Sequence, residues 1–314
     1  MGELLDGERS GEQKAAVSAL KRTSLYASGA SPVNMIQAAF YEEDCLVYDL
    51  EDSVSEEEKD AARLLVYNAL RYQRPSDRYL VVRVNGIYSG YIDEDLEAMV
   101  RARPNALRIP KVERAQEVRK ISERMASIEK RAGIPVGEIR LWCNIESYMG
   151  VLNAREIAAS DPRVEAMALG AEDFTASMGA VRSRSGMEIF YARNAVLLAC
   201  REAGIDALDA VYSDINDLNG LREDAILSKN LGFDGKTVIH PRQIAVVNSC
   251  FAPSEKEVRQ AVRVLHTLEE GRRRGRGVIT LDGSMLDKPM ELRARATLKK
   301  ARAAGMDTGG VKIG

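Results

Sequence analysis

Carboxylates and guanidinium groups are what this chain offers for chemistry. Only two histidines occur, His240 and His266, and the four cysteines (Cys45, Cys143, Cys200, Cys250) form no C-x-x-C pair. That excludes a His-rich zinc centre and a zinc knuckle, and the thiols read as free and buried. The ionisable residues instead cluster where short apolar runs stop. The run 45–48 ends in Asp49, Glu51 and Asp52, the run 79–82 in Arg83 and Asn85, and the run 106–109 in Pro110 and Lys111. The run 139–143 ends in Asn144 and Glu146, the run 164–169 in Glu172 and Asp173, the run 207–212 is followed by Asp214, and the run 235–239 by His240-Pro241.

Several carboxylates gathered at one place cannot all stay ionised without a counter-charge. A hard divalent cation resolves this. Magnesium takes one or two carboxylates and keeps waters and substrate oxygens for its other positions. Glu146 and Asp173 can each supply one oxygen, and Glu51 and Asp52 can hold the metal's waters. The alternative for these acids is helix capping, which suits Asp49 and Asp52 ahead of the helix opening at Ser55. Arg83 follows an apolar run and needs an anionic partner. Either it clamps a substrate carboxylate with its fork, or it pairs with Asp49 or Asp52. Arg83 and Glu146 are the expected substrate contacts. Lys111 reads equally as a site residue or a structural ion pair, His240 as a hydrogen-bonded structural residue, and His266 as helix surface.

The elements that must position these groups alternate. Eight short apolar runs are each followed by a helix-like stretch over residues 20–253, about 29 residues per unit. Such a pattern predicts a parallel sheet, and eight units predict an α/β fold of the (β/α)8 TIM-barrel type, with functional groups at the C-terminal strand ends. An open doubly wound sheet is the alternative, weakened because no G-x-G-x-x-G follows the first strand. With 45% apolar and 29% charged residues, the 314-residue chain can bury a real core. Residues 1–19 read as a polar leader without the apolar segment of a signal peptide. Residues 254–314 read as a helical lid extension. Its 14 basic and 8 acidic residues contrast with 31 and 39 in the first 253, beneath a formal net charge of −2. The basic GRRRGRG turn (271–277) suits a polyanionic partner such as coenzyme phosphates or an acidic carrier protein. No nucleic-acid partner is expected, nor a membrane partner, since no apolar run nears the roughly 18 residues of a span. A cytoplasmic location is expected.

The ordered motifs resemble the citrate lyase beta subunit family, within the metal-dependent acyl-thioester lyases and aldolases. They are RTSLY (22–26), YDLEDSV (48–54), KDAAR (59–63), RVN (83–85), IPKV (109–112), IES (145–147), GAEDF (170–174), VYSD (211–214), GFDGKTVIHP (232–241) and LDGSMLD (281–287). The resemblance spans residues 20–304. It implies a (β/α)8 barrel, a homotrimer and a Mg2+ cofactor. The implied reaction is cleavage of a citryl thioester, on acyl-carrier protein or coenzyme A, to oxaloacetate and an acetyl thioester. Carrier and transferase subunits are implied partners. It further implies Arg83 as the carboxylate clamp, Glu146 and Asp173 as metal ligands, and Asp287 as a lid acid acting in a neighbouring subunit's site. Competing expectations are a malyl-CoA or citramalyl-CoA lyase or thioesterase, a non-catalytic organising subunit, and an aldolase on free keto acids.

Overall fold

The computed structural model describes residues 20–38, 40–73, 78–274 and 278–309. The predicted leader, 1–19, and residues 275–277 of the basic turn lie outside them. The described residues fall into two compact units parted between Val247 and Asn248.

The first unit is a closed barrel of eight parallel strands in sequence order. The strands are β1 (Thr23–Ser28), β2 (Cys45–Asp49), β3 (Tyr79–Arg83), β4 (Ala106–Ile109), β5 (Arg140–Ile145), β6 (Val164–Leu169), β7 (Asp206–Asp209) and β8 (Gly235–Val238). β8 pairs with β1 to close the ring. The connecting helices are α1 (Pro32–Ala38), α2 (Lys59–Tyr72), α3 (Ile92–Ala102), α4 (Ala115–Ala132), α5 (Tyr148–Leu152), α6 (Ala154–Ala158), α7 (Ala171–Met178), α8 (Met187–Ala203), α9 (Leu218–Leu231) and α10 (Pro241–Phe251). The (β/α)8 expectation is met.

Local details depart from it where polar side chains intervene. The helix expected from Ser55 opens as a 3-10 turn, Glu56–Glu58, before α2. The helix expected over 151–159 is two, broken at Asn153, whose side chain donates to the Glu113 carbonyl. β7 stops at Asp209 rather than at Tyr212, because the Tyr212 carbonyl accepts from Gln243 Nε2 instead of from a strand. The predicted basic turn begins helical: Arg272 and Arg273 complete a helix that ends at Arg273.

Side chains alternate across a strand, so one face of each strand fills the barrel. Cys45, Val47, Val81, Ala106, Trp142, Ala166, Ala168 and Leu208 form one apolar cluster across six strands, with Tyr26 and Tyr79 packed against it. Two residues further along the same faces come Asp49, Arg83, Arg108 and Asn144, at the C-terminal end. The apolar layer thus carries a polar layer directly above it.

The second unit packs α11 (Glu255–Arg273) on α12 (Lys288–Ala303) through Val258, Ala261, Leu265, Ala294 and Leu298. Ser254 and Glu257 form a capping box for α11. Between the helices, β9 (Thr280–Leu281) and β10 (Ser284–Met285) make a hairpin. Its turn residues, Asp282 and Gly283, both adopt positive φ, 49° and 79°, as a tight two-residue hairpin demands. Asp287 is the N-cap of α12 and accepts from the Met290 N–H at 2.9 Å.

Candidate active site

Asp49 and Arg83 are register partners at the ends of β2 and β3. The Arg83 fork meets the Asp49 carboxylate twice, Nε to Oδ1 at 2.6 Å and Nη2 to Oδ2 at 2.8 Å. The same carboxylate accepts the N–H groups of Glu51 and Ser53. Asp49 therefore folds its own loop instead of capping α2. Burial works against its charge, yet Arg83 and these donors hold its carboxyl below the usual range. The remaining Arg83 nitrogen, Nη1, lies 2.9 Å from Glu51 Oε2 and 3.3 Å from Asp52 Oδ2. The buried Lys59 ammonium donates to the Leu50 and Glu51 carbonyls and pins the loop.

The loop after β4 completes the far side. Lys111 adopts φ 52°, a left-handed conformation that costs a side-chain-bearing residue energy. There its N–H donates to Glu146 Oε2 at 3.2 Å, while its ammonium donates to Glu51 Oε1 at 2.7 Å. Glu146 follows β5, is buried, and accepts from Asn144 Nδ2 at 2.6 Å through Oε1. Gly170 packs on this carboxylate so closely that a Cβ there would lie 2.4 Å from Glu146 Cγ. Asp173 is exposed in the first turn of α7.

Burial pushes the Glu146 carboxyl up to about 7, and the charges of Glu51 and Asp173 add to it against the pull of Arg83. Burial likewise raises Glu51, with Asp52 adding to the rise. The electrostatic reach of Asp173 extends to Lys111 as well. Arg83, Glu51, Asp52, Glu146 and Asp173 are thus brought into one electrostatic neighbourhood.

Five carboxyl groups (Asp49, Glu51, Asp52, Glu146, Asp173) here meet four cations (Arg83, Arg108, Lys111 and, on the Glu51 loop, Lys59). A divalent cation would offset the acid surplus that remains. Among the described residues, no group of three or more His, Cys, Asp or Glu forms a ready metal cage. The donor set instead fits a hard, largely hydrated ion on Glu146 and Asp173.

Other predicted candidates have local duties. Asp214 accepts the N–H groups of Asn216 and Asp217 within its own loop. His240 Nδ1 accepts the Arg242 N–H, as a structural histidine should. Exposed His266 lies 3.8 Å from Glu270 on α11. Glu172 pairs with Arg182 and Ser213. Asp287 belongs to the second unit.

Two residues escaped the sequence reading. Tyr26 meets the guanidinium carbons of both Arg83 and Arg108, 4.5 and 5.0 Å from its ring centroid. Arg108 is buried inside β4, a charge within the run ALRI. That interruption was the available signal.

A family model described as HpcH/HpaI aldolase/citrate lyase matches residues 22–241. Citrate lyase subunit beta of Leuconostoc mesenteroides subsp. cremoris is 42% identical, over 90% of this chain and 94% of its own. A (3S)-malyl-CoA thioesterase of Cereibacter sphaeroides is 36% identical, over 90% of this chain and 95% of its own. Among solved structures, the protein CitE from Mycobacterium tuberculosis, in complex with magnesium, acetoacetate and coenzyme A, superposes with a TM-score of 0.73 at 32% identity. That match covers 90% of this chain and 99% of that one.

Proposed function

Because this chain belongs to the HpcH/HpaI aldolase/citrate lyase family, we propose that it is a magnesium-dependent carbon–carbon lyase. It cleaves a citryl thioester, carried by acyl-carrier protein or coenzyme A, to oxaloacetate and an acetyl thioester. The observation that carries this reading is the acid surplus at the barrel mouth, centred on a buried Glu146 whose carboxyl is pushed up to about 7. Glu146 and Asp173 would hold the ion, and Glu51 and Asp52 would order its waters.

Bond cleavage removes the proton of the substrate hydroxyl and leaves a thioester enolate. Magnesium held there would supply Lewis acidity that lowers the pKa of the substrate hydroxyl. Arg83 orients the substrate carboxylate and stabilises developing negative charge. Asp49 keeps the Arg83 fork in one orientation, and Lys111 does the same for Glu51. Asp287, supplied by a neighbouring copy of a homotrimer, takes the hydroxyl proton and returns it to the enolate carbon, giving the acetyl thioester. Mixing Asp287→Ala and Arg83→Ala chains under exchange should then restore part of the activity; no recovery in demonstrably mixed assemblies removes that role. Carrier and transferase subunits and a cytoplasmic setting complete the proposal. Among the described residues, no helix is long and apolar enough to cross a membrane.

A second reading, a malyl-CoA or citramalyl-CoA lyase or thioesterase, is favoured by the 36% identity to the malyl-CoA thioesterase. Purified protein with Mg2+ and either citryl-CoA or malyl-CoA separates the two. Oxaloacetate release from citryl-CoA, lost in excess EDTA, is expected; glyoxylate or free malate from malyl-CoA alone overturns the citryl assignment.

A further inference from the structure

A second guanidinium lies inside the barrel beside Arg83. Arg108 is the register partner of Arg83 across the β3–β4 ladder, and both guanidinium groups lie against the Tyr26 ring. Their partners differ. Each Arg83 nitrogen already meets an acid, its Nε and Nη2 with Asp49 and its Nη1 with Glu51 and Asp52, so a substrate carboxylate at Arg83 takes the place of the Glu51 and Asp52 contacts. Among the described residues, Arg108 is hydrogen-bonded to neutral groups only. Its Nε donates to Asn144 Oδ1 at 2.5 Å and its Nη2 to Thr237 Oγ1 at 3.3 Å. Its Nη1 is buried with no hydrogen-bond partner among the described residues. The residue is only 2% exposed.

A buried cation is costly unless an anion meets it. Burial lowers the Arg108 pKa and Arg83 adds to the fall, against the pull of Tyr26, Glu146 and Asp49. The surroundings are nonetheless built to hold the group still. Thr237 on β8 fixes one nitrogen. Asn144 fixes another and passes its own amide N–H to Glu146. One planar amide therefore ties Arg108 to the expected metal ligand. Such a pre-oriented fork, short of an anion, suits a planar carboxylate.

We propose that Arg108 receives a second substrate carboxylate and so selects dicarboxylic acyl groups over monocarboxylic ones. This rests on the lyase reading. A citryl thioester carries two free carboxylates, one on the hydroxyl-bearing carbon and one a methylene away. A malyl thioester has only the first. Arg83 and the metal account for the first, and Arg108 takes the second.

Oxaloacetate and pyruvate are keto acids differing by one carboxylate, so their binding to the Mg2+-loaded full chain tests this directly. By calorimetry, Arg108→Met should weaken oxaloacetate by about 30–100-fold, the size of a lost charge-assisted hydrogen bond. Pyruvate should stay within about twofold. Arg108→Lys should fall between, because an ammonium cannot copy the fork. Equal losses for both acids, or no loss for either, overturn the proposal. Thermal melting checks the fold, and Arg108→Lys carries the same comparison if the Met variant does not fold. Citryl-CoA and malyl-CoA turnover by wild type is measured alongside. Failure with citryl-CoA strikes the lyase assignment, while the keto-acid pair still decides the role of Arg108.

Discussion

The two ends of the barrel interior use similar residues to opposite effect. At the N-terminal end, Lys21 lies 2.6 Å from Asp206 and 3.3 Å from Glu165. Glu165 also accepts from the Tyr79 hydroxyl and the Trp142 indole N–H, and the Lys21 ammonium sits over both rings. Burial opposes these charges, yet their mutual attraction prevails: the Lys21 pKa is raised and that of Glu165 lowered. At the C-terminal end the outcome is divided: pairing prevails for Asp49, Arg83 and Lys111, while burial prevails for the others, raising Glu51 and Glu146 and lowering Arg108. A polar cluster whose charges satisfy one another supports the fold. One whose charges do not is set up to receive a ligand.

Four changes test this contrast. The largest effect is expected from Asp173→Ala, a loss on the order of 10³-fold in kcat, the size seen when a preorganised electrostatic group is removed. Its melting temperature should stay near wild type, because Asp173 is exposed; steady-state kinetics and melting together report both. Lys21→Met should do the reverse. Stability in urea should fall by about 2–3 kcal/mol, less than the roughly 3–5 of a fully buried pair because Glu165 and Asp206 are partly solvated, with kcat held within about twofold. A large kcat loss there would erase the distinction between the ends. Gly170→Ala forces Glu146 aside and should weaken Mg2+ binding by about 10–100-fold, the range for disturbed ligand support; unchanged calorimetric affinity would detach Glu146 from the metal.

The smallest effect is the pH dependence. With the Glu146 carboxyl raised from 4.5 to about 7, protonation stabilises the metal-free fold. That contribution is fully present below about pH 4.5 and is lost as pH rises through 7. Mg2+ competes with the same proton, so its affinity should fall about tenfold from pH 8 to pH 6, with proton uptake by buffer. A flat profile would mean that Glu146 is already ionised without metal.

Much of the fold was legible because each strand is a short apolar run and each helix an amphipathic one, both local properties. The errors fall where a distant side chain replaced a backbone partner: Gln243 taking the Tyr212 carbonyl beyond the end of β7 at Asp209, and Asn153 splitting one helix by reaching Glu113. The acids of the mouth were legible because strand ends share one face of a barrel. The meeting of Arg83 and Arg108 at the Tyr26 ring was not, because it joins β1, β3 and β4.

By itself the sequence determined the barrel, the family and which acids stand at which strand ends, since periodicity and motif order are properties of the chain. Only the tertiary structure decided the charge states. It set Asp49 as the partner of Arg83, left Arg108 Nη1 without a hydrogen-bond partner among the described residues, and buried Glu146 against Gly170. The reason is that burial and charge pairing depend on distances between residues far apart in sequence, and those distances exist only once the barrel has closed.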